Sequence, residues 1–257
     1  MVAAAAARDG TRHHAVSEAE PLSVSAPPLL GRVLASQRWS ELCFLHWRVD
    51  ADLVAPLLPP GLRPDECEGS SWVGVIPFFL DRATLWGSPP IPYVGAFAEI
   101  NVRLYAVDAE GRRGVVFRSL EASRLLAVLA ARASFSLPYF WARTELRVEG
   151  DERAASSRRH GSGTSHRMRL RVGERIEPRE LEVFLTARWG MFVRRFGRTL
   201  FVPNEHEPWA LHRAELLDLD DGLLAAAGFP GLADTPPDSV LWSPGVTTRF
   251  GSPRRVA

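Results

Sequence analysis

Lysine is absent from this chain. All 31 basic residues are arginine, in a total of 257 residues. Enzymes that form a Schiff base with a carbonyl substrate need a lysine amine as the nucleophile. The sequence therefore excludes imine catalysis by any lysine of this protein.

Cysteine is scarce, and long apolar runs are missing. The two cysteines, Cys43 and Cys67, form neither a disulfide framework nor a metal-ligand spacing, which is typical of the reducing cytoplasm. No apolar run reaches the roughly 18–20 residues that a membrane span needs. The alanine-rich start lacks the basic and apolar regions of a signal peptide. We therefore expect a cytoplasmic protein without a membrane partner.

The chain also lacks an excess of positive or negative charge, with 31 basic and 30 acidic residues. The net charge of +1 gives no reason to expect nucleic acid as a partner. With 46% hydrophobic and 24% charged residues, the chain can form a sizeable core, and its length suits one large domain. A homodimer is the commonest assembly of such domains, and no feature of the sequence decides for or against it.

The chain divides into two predicted tails and one predicted domain. Residues 1–27 are rich in Ala, Ser and Pro without periodicity, which predicts a disordered N-terminal tail. Residues 28–247 are predicted as a single domain, and residues 248–257 as a C-terminal tail. Within the domain, residues 151–165 are interpreted as a polar turn region because they are rich in Gly, Ser and charge.

Strand-like segments outnumber helical ones. Residues 96–108 and 114–123 predict a hairpin, and Pro77 predicts a bulge or an edge position in its strand. Four helices are predicted, two of them after the capping residues Asp50 and Ser123, and their ranges are 51–58, 123–133, 177–189 and 220–229. This pattern predicts a mainly β protein, a mainly antiparallel barrel or sandwich with α decorations.

Residues 97–105 (FAEINVRLY) place unusual side chains on one strand face. If they form a strand, Glu99, Asn101 and Arg103 lie on the same face, between Phe97 and Tyr105. Such a face either meets water or lines a pocket for a polar ligand. Arginine and aromatic residues together are typical of ligand-lining surfaces, which favours the pocket.

The common catalytic signatures are missing from the sequence. There is no Walker motif, no GxSxG and no HExxH. Residues 204–207 (NEHE) would need a further ligand such as His46 to bind a metal. Adjacent strand residues point apart, which favours a polar rim over a metal site there. We expect neither a metal nor a cofactor.

Several segments carry a family resemblance in their order and spacing. They are FLHWRVDADLVAPLLPPGLRPD, SWVGVIPFFL, AEINVRLYAV, GVVFRSLEASRLLAVLAARASFSLPYFWA and HEPWALHRAEL. Over roughly residues 37–245 the chain resembles the YqjF-like family, also called domain of unknown function 2071, which is placed in the acetoacetate decarboxylase-like superfamily. The resemblance implies a closed antiparallel β-barrel with flanking helices.

The resemblance also shows where this chain departs from the decarboxylases. Their lysine pair follows a GRExxGxPKK-like stretch, whose nearest counterpart here is ARASFSLPYF. Arg132 and Pro138 match the motif's arginine and proline, whereas Tyr139 and Phe140 stand where the lysines do. Glu99 is similar in placement to the superfamily's pocket glutamate.

Three hypotheses about function follow. In the first, the protein is an enzyme that acts on a small oxo- or carboxylate-bearing metabolite as a lyase, hydratase or isomerase without imine chemistry. In the second, the same pocket binds a metabolite without catalysis. In the third, the aromatic residues fill the interior of a structural or interaction module.

The enzyme hypothesis gives each candidate residue a role. Glu99 is the general acid or base, and Tyr139 donates to a developing oxyanion. His46 shuttles a proton, although a histidine held in the core by a hydrogen bond is the alternative. The predicted substrate-binding residues are Asn101, Arg103 and Arg132, and Arg103 or Arg132 would hold a carboxylate through a bidentate pair.

Overall fold

The computed structural model describes residues 17–92 and 95–256. The strands are β1 (Ala35–Val49), β2 (Leu62–Pro64), β3 (Ser71–Leu85), β4 (Phe97–Asp108), β5 (Arg113–Ala122), β6 (Tyr139–Glu149), β7 (Glu152–Arg159), β8 (Ser165–Arg175), β9 (Gly190–Arg195), β10 (Arg198–Glu205), β11 (His212–Asp221), β12 (Ser239–Phe250) and β13 (Arg254–Arg255). The α-helices are α1 (Ala51–Val54), α2 (Leu125–Phe135), α3 (Glu180–Thr186) and α4 (Leu223–Ala227). The predicted mainly β class is confirmed.

The strands form one sheet in the order β13-β10-β9-β5-β6-β7-β8-β11-β12-β1-β3-β4-β2. Two further pairings, β4 with β5 and β10 with β12, join strands that are distant in this order, so the sheet curls into a partial ring. The sheet is mainly antiparallel, as predicted, and the exceptions are the parallel pairings of β5 with β6 and with β9. The chain reaches β6 through helix α2, and parallel neighbours need a crossover of this kind.

Strand β4 is buried on both faces. Its even-numbered residues Ile100, Val102 and Leu104 belong to the largest apolar cluster of the core. Its odd-numbered residues face the other way, toward the interior of the curled sheet. Their exposed fractions are 2% for Glu99 and 9% for Arg103, which excludes a water-facing strand face.

The local signals near β3 and α1 are confirmed. Asp50 caps α1, since its Oδ1 accepts a 3.0 Å hydrogen bond from the backbone N–H of Asp52. Pro77 lies where the β1–β3 register shifts, between the pairs Ser40–Phe79 and Leu45–Val75, as expected for a bulge. Helix α2 differs from the prediction: it begins at Leu125, after Arg124 rather than Ser123, without a side-chain cap.

The structured region extends beyond the predicted domain on both sides. Residues 1–16 of the predicted N-terminal tail lie outside the described residues, but the N–H of Glu20 bonds to the carbonyl of Gly111 at 2.8 Å. Strand β12 runs to Phe250, inside the predicted C-terminal tail, and β13 pairs with β10. The predicted turn region also differs, because its residues 152–159 form β7 between β6 and β8.

None of the helices in the described ranges has both the length and the apolar character needed to cross a membrane. The two cysteines are free and buried. Burial raises the pKa of both thiols, with the stronger effect at Cys43, whose side chain is fully enclosed by the core.

Candidate functional site

A cavity of about 480 Å³ lies inside the curled sheet. Strands β3 and β4 form one wall, and residues of β1, β5, helix α2 and the chain around residues 186–191 and 202–209 contribute to the others. Most of the lining side chains are apolar. The polar exceptions include Glu99, Asn101, Arg103, Tyr139, Arg188, Asn204 and His206. A mostly apolar cavity with a few convergent polar groups is the usual form of a small-molecule site.

Glu99 and Tyr139 form a buried pair in this cavity. The Tyr139 hydroxyl donates a 2.8 Å hydrogen bond to Oε2 of Glu99. Burial raises the pKa of Glu99 to about 8, and hydrogen bonds from Tyr139 and Asn101 only partly oppose that rise. Burial and the adjacent Glu99 carboxyl raise the pKa of Tyr139 well above its ordinary value. At neutral pH Glu99 is therefore mainly a carboxylic acid held near its titration point.

Arg103 brings a buried positive charge to the same cavity. Its Nε donates to the Tyr105 hydroxyl at 3.0 Å, and its Nη2 donates to the carbonyl of Leu185 at 2.7 Å. Within residues 17–92 and 95–256, no carboxylate forms an ion pair with this guanidinium. Both of its partners are neutral oxygens, so its charge is not compensated by an ion pair.

Arg188 is a cavity residue that the sequence analysis missed. It lies just after α3, and its Nε donates to the carbonyl of Phe184 at 2.7 Å. Its Nη1 bonds to Asp65, a carboxylate that Arg113 also contacts, while its Nη2 has no partner among the described residues. Burial lowers the pKa of Arg188, and the contact with Asp65 opposes this. The available signal was one charged residue within an otherwise apolar segment, FLTARWGMF.

Two asparagine side chains near these charged groups have a buried amide oxygen without a hydrogen-bond partner among the described residues. Asn101 and Asn204 line the cavity, and the Oδ1 atom of each has no partner in the described part of the chain. Buried polar atoms are normally satisfied by protein, water or ligand. With the unpartnered Nη2 of Arg188, the cavity therefore offers both donors and acceptors to an occupant.

His46 does not occupy the position that a proton shuttle requires. It lies outside the cavity lining and is fully buried, with Nε2 2.6 Å from the Tyr105 hydroxyl. Burial and the charges of Arg103 and Arg188 lower its pKa well below the ordinary value. Gly74 allows the ring to sit there, since a Cβ at that position would lie 2.8 Å from the imidazole. His46 therefore fits the alternative described from the sequence, a histidine held in the core by a hydrogen bond.

Arg132 is also displaced from its predicted role. It projects from the last turn of α2, is exposed, and does not line the cavity. Its Nε donates a 2.6 Å hydrogen bond to the carbonyl of Tyr139, and its guanidinium lies 5.8 Å from the centre of the Phe140 ring. Arg132 thus fixes the backbone that carries Tyr139 and cannot hold a ligand in the cavity.

The segment around His206 contributes two polar residues to the cavity lining, Asn204 and His206. The His206 ring lies 4.6 Å from the ring of Trp189 and 4.5 Å from that of Trp209, and its Nδ1 lies 2.7 Å from the carbonyl of Glu207. Burial lowers the pKa of His206. No three His, Cys, Asp or Glu side chains of the described ranges are grouped to hold a metal ion.

Most of the chain matches a known protein family. The model of the family DUF2071, described as an uncharacterized conserved protein, matches residues 36–247. The uncharacterized protein YqjF of Bacillus subtilis (strain 168) is 32% identical over 197 residues, which cover 75% of this chain and 80% of that protein. The chain belongs to the DUF2071 family. The resemblance stated from the sequence is confirmed.

Solved structures with the same fold extend this DUF2071 assignment. An acetoacetate decarboxylase-like enzyme from Sphingomonas wittichii RW1 aligns with a TM-score of 0.63 at 14% identity, covering 88% of this chain and 94% of that one. Acetoacetate decarboxylase from Legionella pneumophila aligns with a TM-score of 0.61 at 15% identity, covering 90% and 92%. The enduracididine biosynthesis enzyme MppR, complexed with pyruvate, aligns with a TM-score of 0.59 at 16% identity, covering 89% and 92%. These similarities establish the acetoacetate decarboxylase-like fold of the DUF2071 chain.

Proposed function

We propose that the cavity binds a small oxo- or carboxylate-bearing molecule and catalyses a proton transfer on it without an imine. The observation that carries this proposal is the uncompensated guanidinium of Arg103 in the same cavity as the Glu99–Tyr139 pair. The reaction class is that of a lyase, hydratase or isomerase that moves a proton next to a carbonyl or carboxylate.

The charges of the buried groups favour an anion. Arg103 and Arg188 line the cavity, and the single negative charge of Asp65 is shared between Arg188 and Arg113. Because Glu99 is mainly protonated at neutral pH, it adds little negative charge. A buried positive charge without a partner is costly, so a ligand carboxylate that reaches Arg103 gains a charge-assisted hydrogen bond in a dry site.

Glu99 supplies the proton chemistry. A general acid or base works best when its pKa lies near the working pH, and the pKa of Glu99 is raised to about 8. Its acid form donates a proton, and its carboxylate form accepts one. Tyr139 holds Oε2 of Glu99 through its hydroxyl and orients the carboxyl group toward the occupant.

A fold neighbour supports the proposal that the cavity binds a small oxo- or carboxylate-bearing molecule. The fold neighbour MppR is described in complex with pyruvate, a small oxo acid. In our proposal the partial ring closes into a barrel around the cavity, which the β4–β5 and β10–β12 pairings support. A cytoplasmic location suits the two free, buried thiols.

A ligand screen followed by an isotope measurement tests the proposal. Small carboxylates and oxo acids are screened by thermal shift, and each hit is incubated in D2O while NMR follows deuterium uptake at the carbon next to the carbonyl. We expect Arg103→Met to lose binding, and Glu99→Gln to bind hits but lose exchange or turnover. Arg147→Met, at an arginine that is 63% exposed, is the matched control.

The outcomes separate the hypotheses. Hits that stabilise the wild type but never exchange or react, with or without Glu99, indicate a non-catalytic binding protein. Absence of any hit, or binding that survives Arg103→Met unchanged, rejects the proposed anion site.

A further inference from the structure

The cavity is polar at its inner end and apolar toward its opening. We propose that its ligand is an amphipathic acid, whose carboxylate binds at Arg103 and whose apolar chain extends toward Trp86. This inference rests on the proposed function, because it takes the anion site at Arg103 and adds the size and chemistry of the remainder of the ligand.

The inward face of β4 provides the long axis of the site. The odd-numbered residues of β4 follow one another along this face, and four of them line the cavity: Phe97, Glu99, Asn101 and Arg103. From Phe97 to Arg103 the strand advances about 20 Å, at roughly 3.3 Å per residue. Arg103 marks the enclosed end, since the oxygens that it contacts belong to buried groups.

Apolar side chains dominate the other end. Phe97 is paired in register with Leu80 of β3, and both belong to a cluster that also contains Phe78. Ala127 and Ala131 of helix α2 pack against this cluster from the opposite side. A chain of methylenes or an aromatic group that runs along this end would contact carbon on both sides.

The opening has an apolar rim. Trp86 and Leu126 are 76% and 64% exposed, and both line the cavity, as does the partly exposed Leu85. Large exposed apolar side chains grouped at one place usually mark a binding surface. Their position at the entrance of an apolar cavity accounts for their exposure, because the ligand's tail leaves the enclosed part of the site between them.

The size of the cavity argues against a very small acid. A volume of about 480 Å³ is within the range of sites for ligands of drug size, and an acid of four carbons at Arg103 would leave the apolar end unfilled. Filling that end removes apolar surface from water on both protein and ligand, which favours the longer molecule.

A chain-length series tests the inference on the full-length protein. Calorimetric titration compares butanoate, hexanoate, octanoate and decanoate, with octan-1-ol as the uncharged control. We expect Kd to fall about fourfold for each buried methylene, the factor that corresponds to ~0.8 kcal/mol, until the chain reaches the rim. Octan-1-ol should bind at least tenfold more weakly than octanoate.

A pair of variants locates the tail. Ala131→Phe fills the apolar end, whereas Ala133→Phe adds the same side chain at an exposed position of α2 that does not line the cavity. We expect Ala131→Phe to weaken octanoate at least tenfold while butanoate changes less than twofold, and Ala133→Phe to change neither. The ratio between two ligands in one variant is independent of how stably that variant folds.

Each result separates this inference from the proposed function. If short acids and oxo acids bind as tightly as octanoate, the amphipathic ligand is rejected and the anion site stands. If octan-1-ol binds as tightly as octanoate, the apolar end is supported and the role of Arg103 is rejected. If no acid of any length binds, both proposals fail.

Discussion

The hydroxyl of Tyr139 lies 2.8 Å from Oε2 of Glu99 and joins two strands whose contacting residues are 40 positions apart in the chain. The resemblance described from the sequence predicts that Tyr139 stands where the decarboxylases have a lysine, and a tyrosine there offers a hydrogen-bond donor rather than an amine nucleophile. The pair couples the chemistry of the cavity to the stability of the fold, because the protonation state of Glu99 differs between the folded and the unfolded chain.

The first prediction concerns stability and pH. The pKa of Glu99 is raised from 4.5 to about 8, so between these values the folded state binds a proton that the unfolded state has released. The contribution of Glu99 to stability is therefore complete below its unfolded pKa and is lost as the pH rises through 8. We expect Glu99→Gln to remove this loss, which is on the order of a few kcal/mol.

Urea unfolding of wild type and Glu99→Gln between about pH 5 and pH 9 measures the effect. Glu145→Gln, at a half-exposed glutamate, is the control and should follow the wild-type curve. Identical pH dependence in wild type and Glu99→Gln would show that Glu99 titrates normally in the fold.

The second prediction concerns Tyr139→Phe. The hydrogen bond from Tyr139 lowers the pKa of Glu99, so its removal should move the titration of Glu99 to a still higher pH. The lost buried hydrogen bond should cost about 1–2 kcal/mol of stability. The pH at which the stability curve levels off is the readout, and in the Glu99→Gln background the shift should vanish. A shift to lower pH would contradict the assigned donor.

The third prediction concerns Asp65. This buried carboxylate contacts Arg188 and Arg113. Asp65→Asn leaves both guanidinium groups without their negative partner, and removal of one member of a buried ion pair costs about 3–5 kcal/mol. Asp238→Asn, which affects an exposed pair with Arg48, should change stability by less than about 0.5 kcal/mol. Equal effects in the two variants, measured by chemical denaturation, would refute the assigned role of Asp65.

The fourth prediction concerns Asp221. Its Oδ1 lies 2.7 Å from Nδ1 of the buried His166, and its Oδ2 accepts a 2.8 Å hydrogen bond from the N–H of Leu224 at the start of α4. Asp221→Ala removes both contacts and should destabilise the protein by about 2–3 kcal/mol. The neighbouring Asp220→Ala, at a side chain that is 72% exposed, should be nearly neutral in the same thermal unfolding assay.

Local sequence signals predicted several elements correctly because their causes are local. Asp50 caps α1 through a bond to a backbone N–H two residues away, and Pro77 disturbs the strand in which it stands. The cap at Ser123 was wrong, since α2 begins at Leu125 after Arg124 and no side chain caps its first turn. Strand β7 was missed because its residues are small or charged without an apolar alternation, and its strand geometry comes from pairing with β6 and β8.

The candidate site was predicted in part. Glu99, Asn101 and Arg103 share a face because strand side chains alternate, and Tyr139 joined them through the resemblance. Arg188 was not predicted, since nothing near it in the sequence indicates that α3 delivers it to Tyr105, whose ring centre lies 4.7 Å from its guanidinium carbon.

By itself, the sequence determined that no lysine chemistry is available and that residues 97–105 carry a polar strand face. Both follow from composition and from the two-residue period of a strand, which need no knowledge of the remaining chain. Only the tertiary structure decided that this face points inward, that Arg132 points away, and that His46 is enclosed. Those outcomes depend on how the whole sheet is assembled, and its assembly needs pairings such as β1 with β12 between residues about two hundred positions apart.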